Sequence, residues 1–319
     1  MITKNKTIIC SAAMFAAVFL FNTASARNEH HDDGAFSNVV SPEVPRYVDF
    51  ADQKIDLNRT DMYERLDREL SSMCYTHGNT LLVLKRANRY FPQIVPILKK
   101  NGVPEDLAYL ACIESTLNPR ALSGVKAAGM WQFMESSGRQ YGLEVNDYVD
   151  ERYDVEKATE AACKYLKDAY AKYGNWESAA ASYNGGMGRI SNELSSQQQS
   201  SAYDLYLNDE TSRYIYRLIS MKLIMEHPDK YGYKLKKKDL YFPIRTTDVV
   251  VDTPVDDWVE WVKSYDISYL QLRDFNPWIR AKSLPNKTGK AYVVKIPNQD
   301  DLYRTTQQKP VYNKNWTID

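Results

Sequence analysis

The chain lacks a charge of one sign. Its 319 residues carry 41 Lys+Arg and 41 Asp+Glu. Such balance gives no electrostatic footprint for nucleic acid, and an uncharged or mixed-charge polymer is the better-suited partner. Cysteine is also scarce, with Cys10, Cys74, Cys112 and Cys163 the only four. Without Cys10, which falls in the leader described below, three remain, and an odd number leaves at least one thiol unpaired. Cys112 and Cys163 lie in Ala-rich helical stretches, so buried, inert thiols are the expected state; one disulfide among the three stays open. No metal or organic cofactor is signalled. Long apolar runs are missing after residue 21, and residues 61 to 226 show no convincing strand alternation.

The one long apolar run opens the chain. Lys4 and Lys6 precede Ile8 to Phe21, interrupted only by Ser11, and Ala24-Ser25-Ala26 fits a small-x-small cleavage site. This pattern predicts a signal peptide over 1–26 and an exported protein, periplasmic or associated with the cell envelope. The run is short for a spanning helix. Cys10 follows Ile8-Ile9, whereas a lipid-anchor signal needs a small residue just before its cysteine.

Residues 27–60 show no clear period, and His30 to Asp33 read as part of a polar, extended N-terminal segment. Helical patterns then occupy roughly 61–73, 79–90, 92–100, 104–115, 155–172, 176–184 and 209–226. Pro92 and Pro104 suit first turns, and Gly102 and Gly174 suit helix ends. Ser195 to Ser201 reads as an exposed loop. After about Gly232 the pattern changes to strand (248–252), two short helices (256–265 and 268–276) and strand (291–296). The fold class expected is mainly α: an all-α domain over 61–234, then a small α+β (βααβ) module over 235–319.

Within the α region, Glu114 stands out. The apolar stripe of its helix runs Leu107, Leu110, Ala111, and the next position on that face is Glu114. A carboxyl group is placed where a leucine is expected. Water-poor surroundings raise a carboxyl pKa, and a carboxylic acid still protonated near pH 7 can donate its proton. A frayed helix end with Glu114 exposed is the competing reading.

Three further segments are unusual. Ala127-Ala128-Gly129-Met130-Trp131-Gln132-Phe133-Met134 sets a Gln among apolar neighbours, where its amide needs a partner. Ala181-Ser182-Tyr183-Asn184-Gly185-Gly186 ends a helix at two glycines, which alone is an ordinary cap. Glu210 to Ile215, containing Tyr214, opens the next long helix.

In this order and spacing, the four segments resemble the catalytic domain of lytic transglycosylases, the soluble type that shares its fold with goose-type lysozyme. The resemblance covers about Pro104 to Met225. It implies a lysozyme-like domain and cleavage of the β-1,4 bond between N-acetylmuramic acid and N-acetylglucosamine in peptidoglycan glycan strands. It implies that Glu114 is the single acid/base and that a 1,6-anhydro product forms. Ser115, Ser123, Gln132, Tyr183 and Asn184 are then expected to hold substrate, with Tyr214 beside Glu114. A single carboxylate suffices where a substrate hydroxyl attacks, unlike the paired-carboxylate glycosidases. Glu135 and Glu144 have polar neighbours and read as surface residues. Two alternatives stay open: a hydrolase of the same fold, and a non-catalytic peptidoglycan-binding protein.

Asp248 to Pro297 resembles a degenerate LysM module through Ile267-Ser268-Tyr269, Leu272, Phe275-Asn276-Pro277 and Tyr292 to Pro297. Such modules bind N-acetylglucosamine. The usual Gly-Asp-Thr-Leu start is Asp252-Thr253-Pro254-Val255 here, so sugar binding and a purely structural role are equally open.

Overall fold

The computed structural model describes residues 40–303 and 309–319. The expected leader, 1–26, and the His30 to Asp33 stretch lie outside the described residues. From Ser41 onward the chain forms one compact unit.

It opens with a hairpin of β1 (Tyr47–Phe50) and β2 (Gln53–Asp56). The turn residues Ala51 and Asp52 both take positive φ, at 51° and 63°. A two-residue turn of this kind usually uses Gly or Asn. Here the Ala51 N–H is held instead by the Asp106 carboxylate at 2.8 Å, and Ala51 is buried. Lacking the usual turn residues, the hairpin is missing from the sequence reading.

α1 (Thr60–Tyr75) and α2 (His77–Lys100) follow. The predicted break at Pro92 does not occur, because α2 runs through Pro92 and Pro96. A proline removes the N–H that would bond the carbonyl four residues back. Both prolines lie on the exposed side of the helix, while Phe91, Ile94, Val95 and Leu98 bury the other face. A 3-10 turn at Glu105–Leu107 leads into α3 (Ala108–Ser115). Then come α4 (Glu135–Gln140), α5 (Val155–Tyr173), α6 (Trp176–Gly185), α7 (Met187–Ser196) and α8 (Asp209–Glu226). The side chains of Asp154, Asn175 and Asn208 cap α5, α6 and α8, each accepting a backbone N–H of the first turn. α4 and α7 are additions to the expected helices.

α8 is the axis of the larger core. It packs on α1, α3 and α6, and Leu218 to Met225 is an unbroken buried run. A helix apolar on every side belongs in a protein interior. The one charge in that run, Lys222, bonds Asp106 and Glu226 at 2.7 Å each.

The second core belongs to the module expected at the far end. β3 (Thr246–Val251) pairs antiparallel with β4 (Tyr292–Pro297), with Val249 opposite Val294. Between them lie α9 (Trp258–Trp261), a 3-10 turn and α10 (Tyr269–Phe275). α11 (Gln299–Leu302) follows β4. Asn276, fully buried, ties α10 to β4: its amide donates to the Lys295 carbonyl at 2.8 Å and accepts the Lys295 N–H at 2.7 Å.

The chain crosses between the cores more often than a single division at residue 235 implies. Leu235 and Leu240 sit in the larger core, and residues 309–319 return to it. There Trp316 is buried and its indole N–H donates to the Met225 carbonyl at 2.7 Å. Val149 belongs to the second core and bridges to Ile279. Cys74, Cys112 and Cys163 are all buried free thiols. The class is mainly α with a small α+β module, and no helix among the described residues is long and apolar enough to cross a membrane.

Candidate active site

Glu114 occupies the last turn of α3. Leu107, Leu110 and Ala111 on its stripe are fully buried, and Glu114 itself is half-buried rather than frayed into solvent. The helix stops because Thr116 and Leu117 take positive φ, 53° and 55°. For residues with a β-carbon this conformation is strained by roughly 1–2 kcal/mol each. The surroundings hold it in place. The N–H groups of Thr116 and Leu117 bond back to the Cys112 and Ala111 carbonyls, and Arg86 donates to both the Thr116 carbonyl and hydroxyl at 3.0 Å.

The Tyr214 hydroxyl donates to Glu114 Oε1 at 2.5 Å. Tyr214 is buried on α8. No other hydrogen bond reaches this carboxyl among the described residues. Burial pushes the Glu114 pKa up to about 7. The Tyr214 hydrogen bond opposes this, the nearby Glu210 charge adds to the rise, and Arg217 reduces it. Tyr214 occupies Oε1, and Oε2 has no hydrogen-bond partner among the described residues. Burial holds the Tyr214 phenol well above its usual range, with the Glu114 charge adding to it, so it stays a donor.

The segment Gly129–Gln132 is wired to the same place. Ser115 Oγ donates to the Met130 carbonyl at 2.8 Å, and the Tyr183 hydroxyl donates to the Trp131 carbonyl at 2.8 Å. The Trp131 indole, fully buried, donates to Thr159 at 2.8 Å. Gly129 has φ +78°, and a β-carbon there would lie 1.7 Å from the Arg152 carbonyl oxygen, so only glycine fits. Arg152 is buried, paired with Asp150 at 2.8 Å, and donates to the Lys126 and Phe133 carbonyls. It clamps the loop from both ends. Gln132, at φ 50°, donates from its amide nitrogen to the Gly129 carbonyl at 2.8 Å. Its amide oxygen has no protein partner among the described residues.

Asn184 is the converse. Its Oδ1 accepts from the Thr211 hydroxyl at 2.9 Å, and that bond turns its NH₂ away as an uncommitted donor. The Tyr183 ring meets Trp131, Phe133 and Tyr165 edge-on, with centroids 6.5, 6.0 and 5.1 Å apart.

The structure thus links Glu114, Ser115, Gln132, Tyr183, Asn184 and Tyr214 through short hydrogen bonds and shared neighbours. Ser115 differs from its expected role. Its hydroxyl is committed to the Met130 and Ala111 carbonyls and accepts the Asn118 N–H, so it joins two segments of the site rather than awaiting a ligand. Ser123 is half-exposed, and its hydroxyl accepts the Ala127 N–H at 3.0 Å. Glu135 is exposed in an ion pair with Arg139. Glu144 is half-buried, joined to Lys290 and Tyr292 of the second module. Thr211 and Arg152 were missed. Thr211 lies within the Glu210 to Ile215 segment but acts on Asn184, 27 positions away, and Arg152 acts on carbonyls 26 and 19 positions away, so neither role leaves a local signal. Cavities of about 790 and about 740 Å³ lie elsewhere on the molecule, and neither is lined by Glu114.

Residues 94–206 match the family model described as the transglycosylase SLT domain, and residues 247–300 match the soluble lytic transglycosylase C-terminal LysM-like domain. The chain is 28% identical over 283 residues to membrane-bound lytic murein transglycosylase D of Escherichia coli strain K12. That match covers 86% of this chain, which spans 60% of the length of the relative. It is 39% identical over 95 residues to peptidoglycan transglycosylase gp16 of Escherichia phage T7, covering 29% of this chain and 7% of that protein. Among solved structures, the 70 kDa soluble lytic transglycosylase from Escherichia coli aligns at 19% identity with a TM-score of 0.39, covering 52% of this chain and 34% of that one. The resemblance read from the four segments is therefore matched by an SLT domain, and that read from Asp248 to Pro297 by a LysM-like domain.

Proposed function

We propose that this chain, which carries an SLT domain and a LysM-like domain and is homologous to membrane-bound lytic murein transglycosylase D, is a peptidoglycan lytic transglycosylase of the cell envelope. Glu114 is its acid/base. The observation that carries the reading is a half-buried carboxyl whose pKa stands near 7, with one oxygen held by Tyr214 and the other free.

In the first step Glu114 Oε2 gives its proton to the oxygen bridging N-acetylmuramic acid and N-acetylglucosamine, and the C1–O bond breaks. The carboxylate left behind opposes the positive charge developing at C1. In the second step it takes the proton of the muramyl C6 hydroxyl, and O6 bonds to C1. The 1,6-anhydro sugar results, Glu114 ends protonated, and no water is consumed. Tyr214 donates to Oε1 throughout and so stabilises the ionised intermediate state most. The free amide oxygen of Gln132 and the free amide N–H groups of Asn184 are placed to accept from and donate to sugar substituents. Export rests on the leader read in residues 1–26, and envelope association on the membrane-bound relative.

Digestion of purified peptidoglycan followed by mass spectrometry tests this. Anhydromuropeptides are the expected product. Products heavier by one water identify a hydrolase. Glu114→Gln is expected to lose at least about 10³-fold in turnover, within the range general acid–base catalysis supplies. A variant as active as the parent removes Glu114 from the mechanism.

A further inference from the structure

The cavity of about 740 Å³ lies where the larger domain meets the LysM-like module. One wall is α2, contributing Arg86 and Arg89; residues three apart on a helix share a face. Tyr153, Phe275 and Trp278 also line the cavity. Other charges of the cavity are spoken for. Arg120 pairs with Asp274, Lys295 with Glu156 and Arg245 with Asp301, while the Asp154 carboxyl caps α5. Arg86 and Arg89 have no carboxylate partner among the described residues. Arg86 uses only Nη1, on Thr116, and Arg89 only Nε, on the Phe242 carbonyl. Each half-buried guanidinium keeps N–H donors with no hydrogen-bond partner among the described residues, and that of Arg89 lies over the Tyr241 ring, 5.6 Å from its centroid.

A planar fork with unused donors beside aromatic faces suits a carboxylate attached to a partly apolar chain. A volume of this size holds a ligand of several amino acids. The cavity is also continuous in sequence with the Glu114 site. Asn118 to Arg120 line it and leave directly from the strained turn after Ser115, a turn that Arg86 itself holds.

We propose that this cavity binds the short peptide stem carried by the muramyl sugar, with Arg86 and Arg89 receiving its carboxylates. The inference rests on the glycan-cleaving reading above and names a second part of the same substrate.

Isothermal titration into the whole Glu114→Gln chain, expected not to turn over, tests it with three probes: a sugar-free stem tetrapeptide, the same peptide with every carboxylate amidated, and inorganic phosphate. The tetrapeptide is expected to bind and the amidated peptide to bind at least about tenfold more weakly. Adding Arg89→Gln is expected to weaken the tetrapeptide about tenfold. Arg89→Lys falls between, because a point charge replaces the fork. Should Arg89→Gln not fold, as judged by its melting transition, Arg89→Lys and the amidated peptide decide. No tetrapeptide binding, equal binding of the amidated peptide, or phosphate binding as tightly as the peptide overturns the assignment. Peptide binding by a chain that cleaves no glycan contradicts the role of Glu114 and leaves the cavity standing. Cleavage of glycan without peptide binding does the reverse.

Discussion

Glu114 and Glu151 are glutamates of one domain, each shielded from water, and their pKa values are shifted in opposite directions. Burial pushes both upward. At Glu151 the Glu144 N–H, Lys157 and Lys290 outweigh it and bring the pKa below its ordinary value. At Glu114 the Tyr214 phenol and the weaker Arg217 charge oppose burial without outweighing it, and the pKa stays near 7. Shielding sets the direction of the shift only until donors are counted. Glu69, almost fully buried, pairs with Arg68, Arg213 and Arg217. The same fold lowers a carboxyl pKa where it supplies several donors, and at the end of α3, where it supplies one hydrogen bond, it raises one.

The sharpest way to break this comparison is stability. A carboxyl raised from 4.5 to about 7 favours folding fully below pH 4.5 and loses that contribution as pH rises through 7. The loss amounts to at most about 3 kcal/mol. Glu114→Gln removes the penalty, so at pH 8 it is expected to be more stable than the parent by up to that amount, with no difference at pH 4. Glu151→Gln is expected to act oppositely, destabilising at pH 8 by about 2 kcal/mol because it leaves Lys157 and Lys290 underpaired. Urea unfolding at both pH values measures the two signs. Equal signs would remove the contrast.

A smaller effect sharpens it. Tyr214→Phe deletes the one donor to Glu114 among the described residues, so the carboxyl pKa rises further and the alkaline limb of the activity profile moves to higher pH. Turnover is expected to fall by about tenfold, the worth of one hydrogen bond to a charged group. An unmoved limb would mean that Tyr214 does not tune Glu114. Smallest of all, Thr211→Val frees the Asn184 amide to rotate. KM is expected to rise by a few-fold, about 1 kcal/mol, with kcat little changed. A kcat loss with KM constant would place Thr211 nearer the chemistry.

How much of this was legible depended on the range of the interactions. Glu114 could be found because its stripe is local, four residues from Leu110. The β3–β4 module could be found because strands and short helices follow in order. The run of α2 through two prolines could not, since their exposure depends on which face the core covers. The hairpin at Ala51-Asp52 was hidden because Asp106, 55 residues away, supplies what glycine usually does. The Arg152 clamp, the Thr211 bond to Asn184 and the return of Trp316 to the first core are all long-range pairings of the same kind. They are fixed by packing and leave no periodic trace. Ser115 was singled out through the family resemblance as a substrate contact, yet its bonds to the Met130 and Ala111 carbonyls make it a fastener.

The most direct test is a carbon-13 NMR titration of the Glu114 side-chain carboxyl in the folded protein, assigned by its loss in Glu114→Gln. The account predicts a midpoint near 7, with the acid form dominant at pH 6. A midpoint near 4.5 would contradict it, because the residue would then be ionised at neutral pH with no proton to give.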